Sequence, residues 1–325
     1  MWKKHWRGKT PERPAVSAGE IILILLLTGL AFWGIFILAP SLVFLFSVFN
    51  GKDEQLMTEE KAGRSYYAPY RQEILAAQER MTALPWQRVT ARSDDGLVLA
   101  AEYLSRGNRK AVLYVPGFHA SPFANFGRQT EDFLARGYDV LCLHERGLGV
   151  SGGSHVGMGL WERGDVKVWA RWLSKRAEEV VVYGISMGAA AAAYTADSLP
   201  DTVKALVVDC GFLSPYEALL YDCQKRRLPG RLLMPVMRVL MKFRFGLELK
   251  ESVLGPLSRA KMPVLFLHGE ADTVVPVSQG KRAFEACRGP KEALFVPGAP
   301  HTLCYTVGGE ELRETFFAFL ARYIQ

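Results

Sequence analysis

The 325-residue sequence has no CxxC pair and no cysteine–histidine spacing suited to a metal, and its five cysteines (Cys142, Cys210, Cys223, Cys287 and Cys304) are odd in number. That argues against a disulfide framework and a structural zinc site. Cys142 and Cys210 lie in apolar strand-like runs, where a thiol serves as a small buried hydrophobe. Repeats and low-complexity tracts are missing as well, which leaves a globular body. Excess charge is scarce beyond the first thirteen residues. The net charge is +7, yet Lys3, Lys4, Arg7, Lys9 and Arg13 face only Glu12 there, leaving +3 for the rest. So little scattered charge does not make a phosphate-tracking surface, and nucleic acid is set aside as a partner. A hydrophobic fraction of 49% supplies a sizeable core, for one large domain with an appendage or two modest domains.

Charge is absent altogether from Ile21 to Phe49, "IILILLLTGLAFWGIFILAPSLVFLFSVF". Nineteen residues of it already make a helix of about 28 Å, close to the hydrocarbon thickness of a bilayer. A cleaved signal peptide has a shorter apolar region, of about 7–15 residues, followed by small residues at a cleavage site. The expectation is a transmembrane anchor over 21–49, with residues 1–20 as a basic cytoplasmic N-terminus. Pro40 marks a kink or the helix end. The basic residues before the span outweigh Lys52, Lys61 and Arg64 after it. By that asymmetry the rest of the chain is extracytoplasmic, in a single-pass membrane protein.

Residues 50–85 read as a polar spacer and a stalk helix, or a helix packed on the domain behind it, with Tyr67, Tyr70, Ile74, Leu75 and Gln78 at three-to-four spacing. From 86 to 325 short apolar strands alternate with helical stretches. "WQRVTAR" and "LVLAAEYL" flank an Asp94-Asp95-Gly96 turn, and "KAVLYVP", "DVLCLH", "EVVVYG", "VKALVVDC", "PVLFLHG" and "EALFVPG" follow. The pattern predicts an α/β domain: a mostly parallel eight-stranded sheet with helices on both faces. Residues 212–258 break the alternation as a helical, cap-sized insertion. Its centre, "RRLPGRLLMPVMRVLMKFRF", is apolar and basic. It reads as a cap packed on the domain, as cover for an acyl pocket, or as a helix lying against anionic lipid.

"VVVYGISMGAAAAAY" places Ser186 between Gly184 and Gly188, where a strand passes into a helix. In that setting glycines let strand and helix close on each other, the serine takes strained backbone angles, and its hydroxyl stands clear of the sheet. A serine nucleophile needs a base oriented by a carboxylate, and in this arrangement both lie downstream. His268 and His301 are the histidines after Ser186. His301, in "VPGAPHTLC" past the last strand, is the base, and His268 reads as a packing or hydrogen-bonding residue. Asp272, in "HGEADTVVP", leads as the acid, with Glu270 and Asp209 as alternatives. His119 reads as a loop hydrogen-bonder or a substrate contact.

"GISMG", "LHGEADTVVPV" and "PGAPH", in this order, resemble the α/β-hydrolase superfamily, especially its membrane-anchored and serine aminopeptidase-like branches. The resemblance spans about Trp86 to Gln325. It implies an oxyanion hole from the backbone amides of Phe118, in "VLYVPGFHAS", and Met187. Pro116 stands where the family often has histidine. In "HERGLGVS", His144 replaces a usual aspartate while Arg146, Gly147, Gly149 and Ser151 match. The implied activity is hydrolysis of carboxylic esters, esterase- or lipase-like, through an acyl-enzyme and with no metal or organic cofactor. A peptidase, with Glu217 or Asp222 receiving a substrate amine, and a non-catalytic binding protein are the alternatives. The expected partners are a small acyl ester or peptide substrate and the membrane.

Overall fold

The computed structural model describes residues 17–51, 56–63 and 65–325. The basic residues ahead of Ser17 lie outside the described residues, as do Lys52 and Arg64. Runs rich in valine and leucine form β1 (Gln87–Arg92), β2 (Val98–Leu104), β3 (Lys110–Val115), β4 (Tyr138–Leu143), β5 (Glu179–Ile185), β6 (Val203–Asp209), β7 (Val264–Gly269) and β8 (Lys291–Val296). They make one sheet in the order β1-β2-β4-β3-β5-β6-β7-β8. Strands β3 to β8 pair in parallel. The β1–β2 hairpin adds an antiparallel edge on β4, so the sheet is mixed there. Gly96, at φ 91°, supplies the positive backbone angle in the hairpin turn.

Successive side chains serve opposite faces. Leu113, Val115, Val180 and Val182 enter one buried cluster, and Val112, Tyr114, Val181 and Tyr183 the other. Strand order reverses where β3 lies between β4 and β5, and such a reversal opens a crevice at the carboxyl ends of the strands.

Between β6 and β7 the inserted segment holds helices at Pro215–Lys225, Gly230–Phe245 and Leu254–Ser258. The second, the cap helix, sends Met234, Met237 and Met241 into the core. Ahead of β1, the helix Arg71–Thr82 lies on the domain and does not stand off as a stalk. Its Met81 is buried, and a β-carbon at Gly127 would meet the Ala77 backbone at 2.8 Å, so only glycine permits this approach.

The apolar N-terminal segment is one long helix. It starts at Ala18, where Ser17 and Glu20 form a capping box. Pro40 lies inside it, so of the two expectations at this residue, kink or helix end, the helix end is not met. A π turn at Gly34–Leu38, in which the Ala39 N–H bonds the Gly34 carbonyl, precedes Ala39–Phe49. Proline lacks an N–H and its ring crowds the preceding turn, and the wider turn accommodates both. An 18-residue window within Ala18–Val43 has a mean hydropathy of 2.8, and the helix is long and apolar enough to cross a membrane. Its first half, Ala18–Trp33, buries nothing, whereas Ile37, Ser41 and Phe49 are buried and the second half packs along the cap helix.

Candidate active site

Ser186 sits at the apex between β5 and the helix Met187–Ala193, with φ 57° and ψ −115°. Such angles are costly for a residue with a side chain and persist only where the surroundings fix them. Two contacts do so here. The Ser186 N–H donates to the Asp209 carbonyl at 2.8 Å, and strand and helix close tightly on the flanking glycines. A β-carbon at Gly184 would lie 2.4 Å from the Gly188 carbonyl oxygen, and one at Gly188 2.1 Å from that of Val115.

His301, in the loop after β8, brings Nε2 to 2.9 Å from Ser186 Oγ and Nδ1 to 2.6 Å from Asp272 Oδ2. The other Asp272 oxygen accepts from the Val274 and Val275 amides, both at 2.8 Å. Burial by itself would raise the Asp272 pKa. Hydrogen bonds from His268 and His301, the His301 charge and the Val275 amide outweigh it and hold the carboxyl well below the usual range. His268 lies buried behind, with Nε2 2.9 Å from the Val275 carbonyl and 3.4 Å from Asp272 Oδ2, and braces the turn that carries the carboxylate.

The alternative acids lie elsewhere. Glu270 is exposed. Asp209 is fully buried, accepts from the Tyr183 hydroxyl at 3.0 Å, and burial pushes its pKa up to about 6. Phe118 follows Gly117, whose β-carbon position is 3.5 Å from Ser186 Cβ, so its loop borders the serine. Met187 opens the elbow helix, where a first-turn N–H has no intrahelical acceptor. His119, at φ 54°, follows Phe118 in that loop and lines the cavity over Ser186. His144 serves the neighbouring loop instead, with Nε2 3.3 Å from Glu102 and its carbonyl accepting from Ser151 at 2.7 Å.

A cavity of about 470 Å³ opens over Ser186 and His301. Part of its wall was not anticipated from the sequence: Leu56, Met57 and Lys61, from the segment read as a spacer, and Tyr66 and Tyr67, from the start of the stretch read as a stalk helix, line it together with Phe118 and Val274. The segment is held in place by Gln78, which exchanges hydrogen bonds with the Met57 backbone at 2.7 and 3.0 Å. The Tyr67 hydroxyl also lies 3.3 Å from Thr302 Oγ1, beside His301. Burial first, then Tyr67, raises the Tyr66 pKa, so it presents a neutral phenol. The adjacent tyrosines were the available signal, but nothing local shows what they cover.

Among the described residues Cys210, Asp272 and His301 form a group of possible metal ligands. The 2.6 Å contact between Asp272 and His301 is a hydrogen bond, too short for two ligands of one ion with bonds of about 2.0–2.2 Å. All five cysteines are free and buried.

The family described as Serine aminopeptidase, S33 matches residues 106–244. YqkD of Bacillus subtilis is 31% identical over 194 residues, which cover 58% of this chain and 64% of that protein, just under two thirds of its length. A Saccharomyces cerevisiae protein described as a membrane protein is 24% identical over 217 residues, 65% of this chain and 72% of that one. Among solved structures, the Pyrococcus furiosus esterase Pf2001 superposes with a TM-score of 0.64 at 22% identity, over 85% of this chain and 100% of that one. The chain thus has the fold of the esterase it superposes on, and its centre is similar to the serine aminopeptidase family.

Proposed function

We propose that the protein is a membrane-anchored serine hydrolase that cleaves carboxylic esters through an acyl-enzyme. The carrying observation is His301, within hydrogen-bond reach of Ser186 on one nitrogen and of Asp272 on the other. In this reading His301 Nε2 takes the Ser186 proton as Oγ attacks the substrate carbonyl, and the same proton passes to the departing alcohol. Asp272 accepts from Nδ1–H, fixing the tautomer and stabilising the imidazolium. The Phe118 and Met187 amides receive the oxyanion, each worth about 3 kcal/mol in comparable sites. Water, activated by His301, then releases the acid. Each step uses protein groups and water alone.

A fluorophosphonate probe tests the nucleophile: wild type should be labelled and Ser186→Ala not. Labelling that survives the substitution overturns the assignment. The serine aminopeptidase match keeps a peptidase as the second reading. Against it, Glu217 is paired with Arg282 at 2.6 Å and Asp222 with Arg226 at 2.7 Å, and neither lines the cavity. Comparing p-nitrophenyl esters with aminoacyl amides decides between the two.

The N-terminal helix supports the anchor, and the yeast relative's description agrees with it. The proposed topology keeps the N-terminus cytoplasmic and the hydrolase domain outside. Protease added to intact host cells should then degrade the domain, and survival until lysis refutes that orientation.

A further inference from the structure

The cap helix has two apolar faces where one would suffice. Met234, Met237 and Met241 fill the core, yet Leu232, Val239 and Phe243, spaced seven and four residues apart on another face, are 59%, 53% and 89% exposed. From Lys225 to Phe245 there are seven basic residues and no acidic one; Arg226 pairs with Asp222, and Arg238 and Lys242 share Glu248, which leaves Lys225, Arg227, Arg231 and Arg244 in excess. An apolar stripe bordered by cations is the composition of a helix that beds into an anionic lipid surface.

Position agrees with composition. The cap helix packs along the second half of the N-terminal helix, whose first half is apolar and buries nothing. The stripe therefore continues from the segment suited to the bilayer. The cavity mouth lies nearby on two grounds. Lys225, at the turn into the cap helix, donates to the Thr273 carbonyl at 2.7 Å, next to rim residue Val274. Gly51, just past the N-terminal helix, is five residues from rim residue Leu56, a reach of at most about 18 Å.

We propose that Leu232, Val239 and Phe243 insert into the anionic leaflet that receives the N-terminal helix, and that the cavity takes its acyl esters from that leaflet. The substrate class is thus a bilayer-resident ester. This substrate assignment rests on the hydrolase reading above, whereas the membrane face rests on the helix alone.

The test uses the full chain in vesicles of phosphatidylglycerol and phosphatidylcholine. Because the native cysteines are buried, nitroxides can be placed at Phe243→Cys and, on the opposite face of the sheet, at Glu314→Cys. The label at 243 should collide with oxygen more than with an aqueous nickel chelate, and the label at 314 the reverse. Equal aqueous exposure at both overturns the membrane face. The double substitution Leu232→Asp, Phe243→Asp should lower turnover of a vesicle-borne ester about tenfold, leaving a short soluble ester within about twofold. Equal effects on both esters overturn the substrate assignment. If wild type hydrolyses neither, the hydrolase reading fails while the nitroxide result still decides the membrane face.

Discussion

At Ser186 two glycines and one strained residue carry the geometry. Gly188→Ala would set a methyl group against the Val115 carbonyl, in a sheet that cannot yield. Overpacking of this kind should cost about 3 kcal/mol, read as a lower urea midpoint, with activity lost. The two buried aspartates part company in a paired experiment. Asp272→Asn should lower kcat by about 10⁴-fold, as expected when the imidazole loses its tautomer, whereas Asp209→Asn should keep turnover within tenfold or so. Asp209 has a second signature. Its folded pKa of about 6 exceeds the ordinary 3.8, so the folded state holds the extra proton between those values and stability falls as pH rises through them. The stability difference between Asp209→Asn and wild type should therefore grow in the variant's favour across that window. Chemical unfolding at successive pH values checks this, and a difference that shrinks would refute it.

At the scale of elements, the helix Arg71–Thr82 matters to the site although it carries none of the reacting groups. It supplies Gln78, which holds Met57 and so part of the cavity wall. Gly127→Leu should lever this helix off the domain, costing about 2 kcal/mol and raising KM for esters more than it lowers kcat. Steady-state kinetics beside thermal unfolding separates the two effects. The strands were legible because β-branched and leucine-rich runs bounded by turn residues are local signals. The elbow was legible because Gly184, Ser186 and Gly188 meet between a strand and a helix. The cavity wall was not, since Tyr67 finds Thr302 across 235 positions and no short pattern encodes such a contact. Pro40 left kink and helix end open for a related reason: a π turn upstream absorbs it, and that compensation has no composition of its own.

Across the whole molecule, the apolar helix and the α/β domain are joined by packing as well as by chain. Phe49 is 1% exposed within the main core, and the Val156 N–H donates to its carbonyl at 3.0 Å. Phe49→Ala should therefore destabilise the domain by about 3–5 kcal/mol, although the residue ends the apolar helix. Thermal unfolding in detergent checks it, and an unchanged midpoint would show that the helix and the domain are independent. The sequence marked this residue as the last of a span; only folding shows that it also serves the core.

The π turn at Gly34–Leu38 begins the docked half of the N-terminal helix, and its Ile37 is the first buried residue. Deleting one residue there would rotate every earlier side chain by about 100° around the helix axis, while Ile37, Ser41 and Phe49 could keep their seats. The turn thus works as an indexing joint, setting the compass bearing of Ala18–Trp33 toward its surroundings independently of how the rest of the protein is mounted.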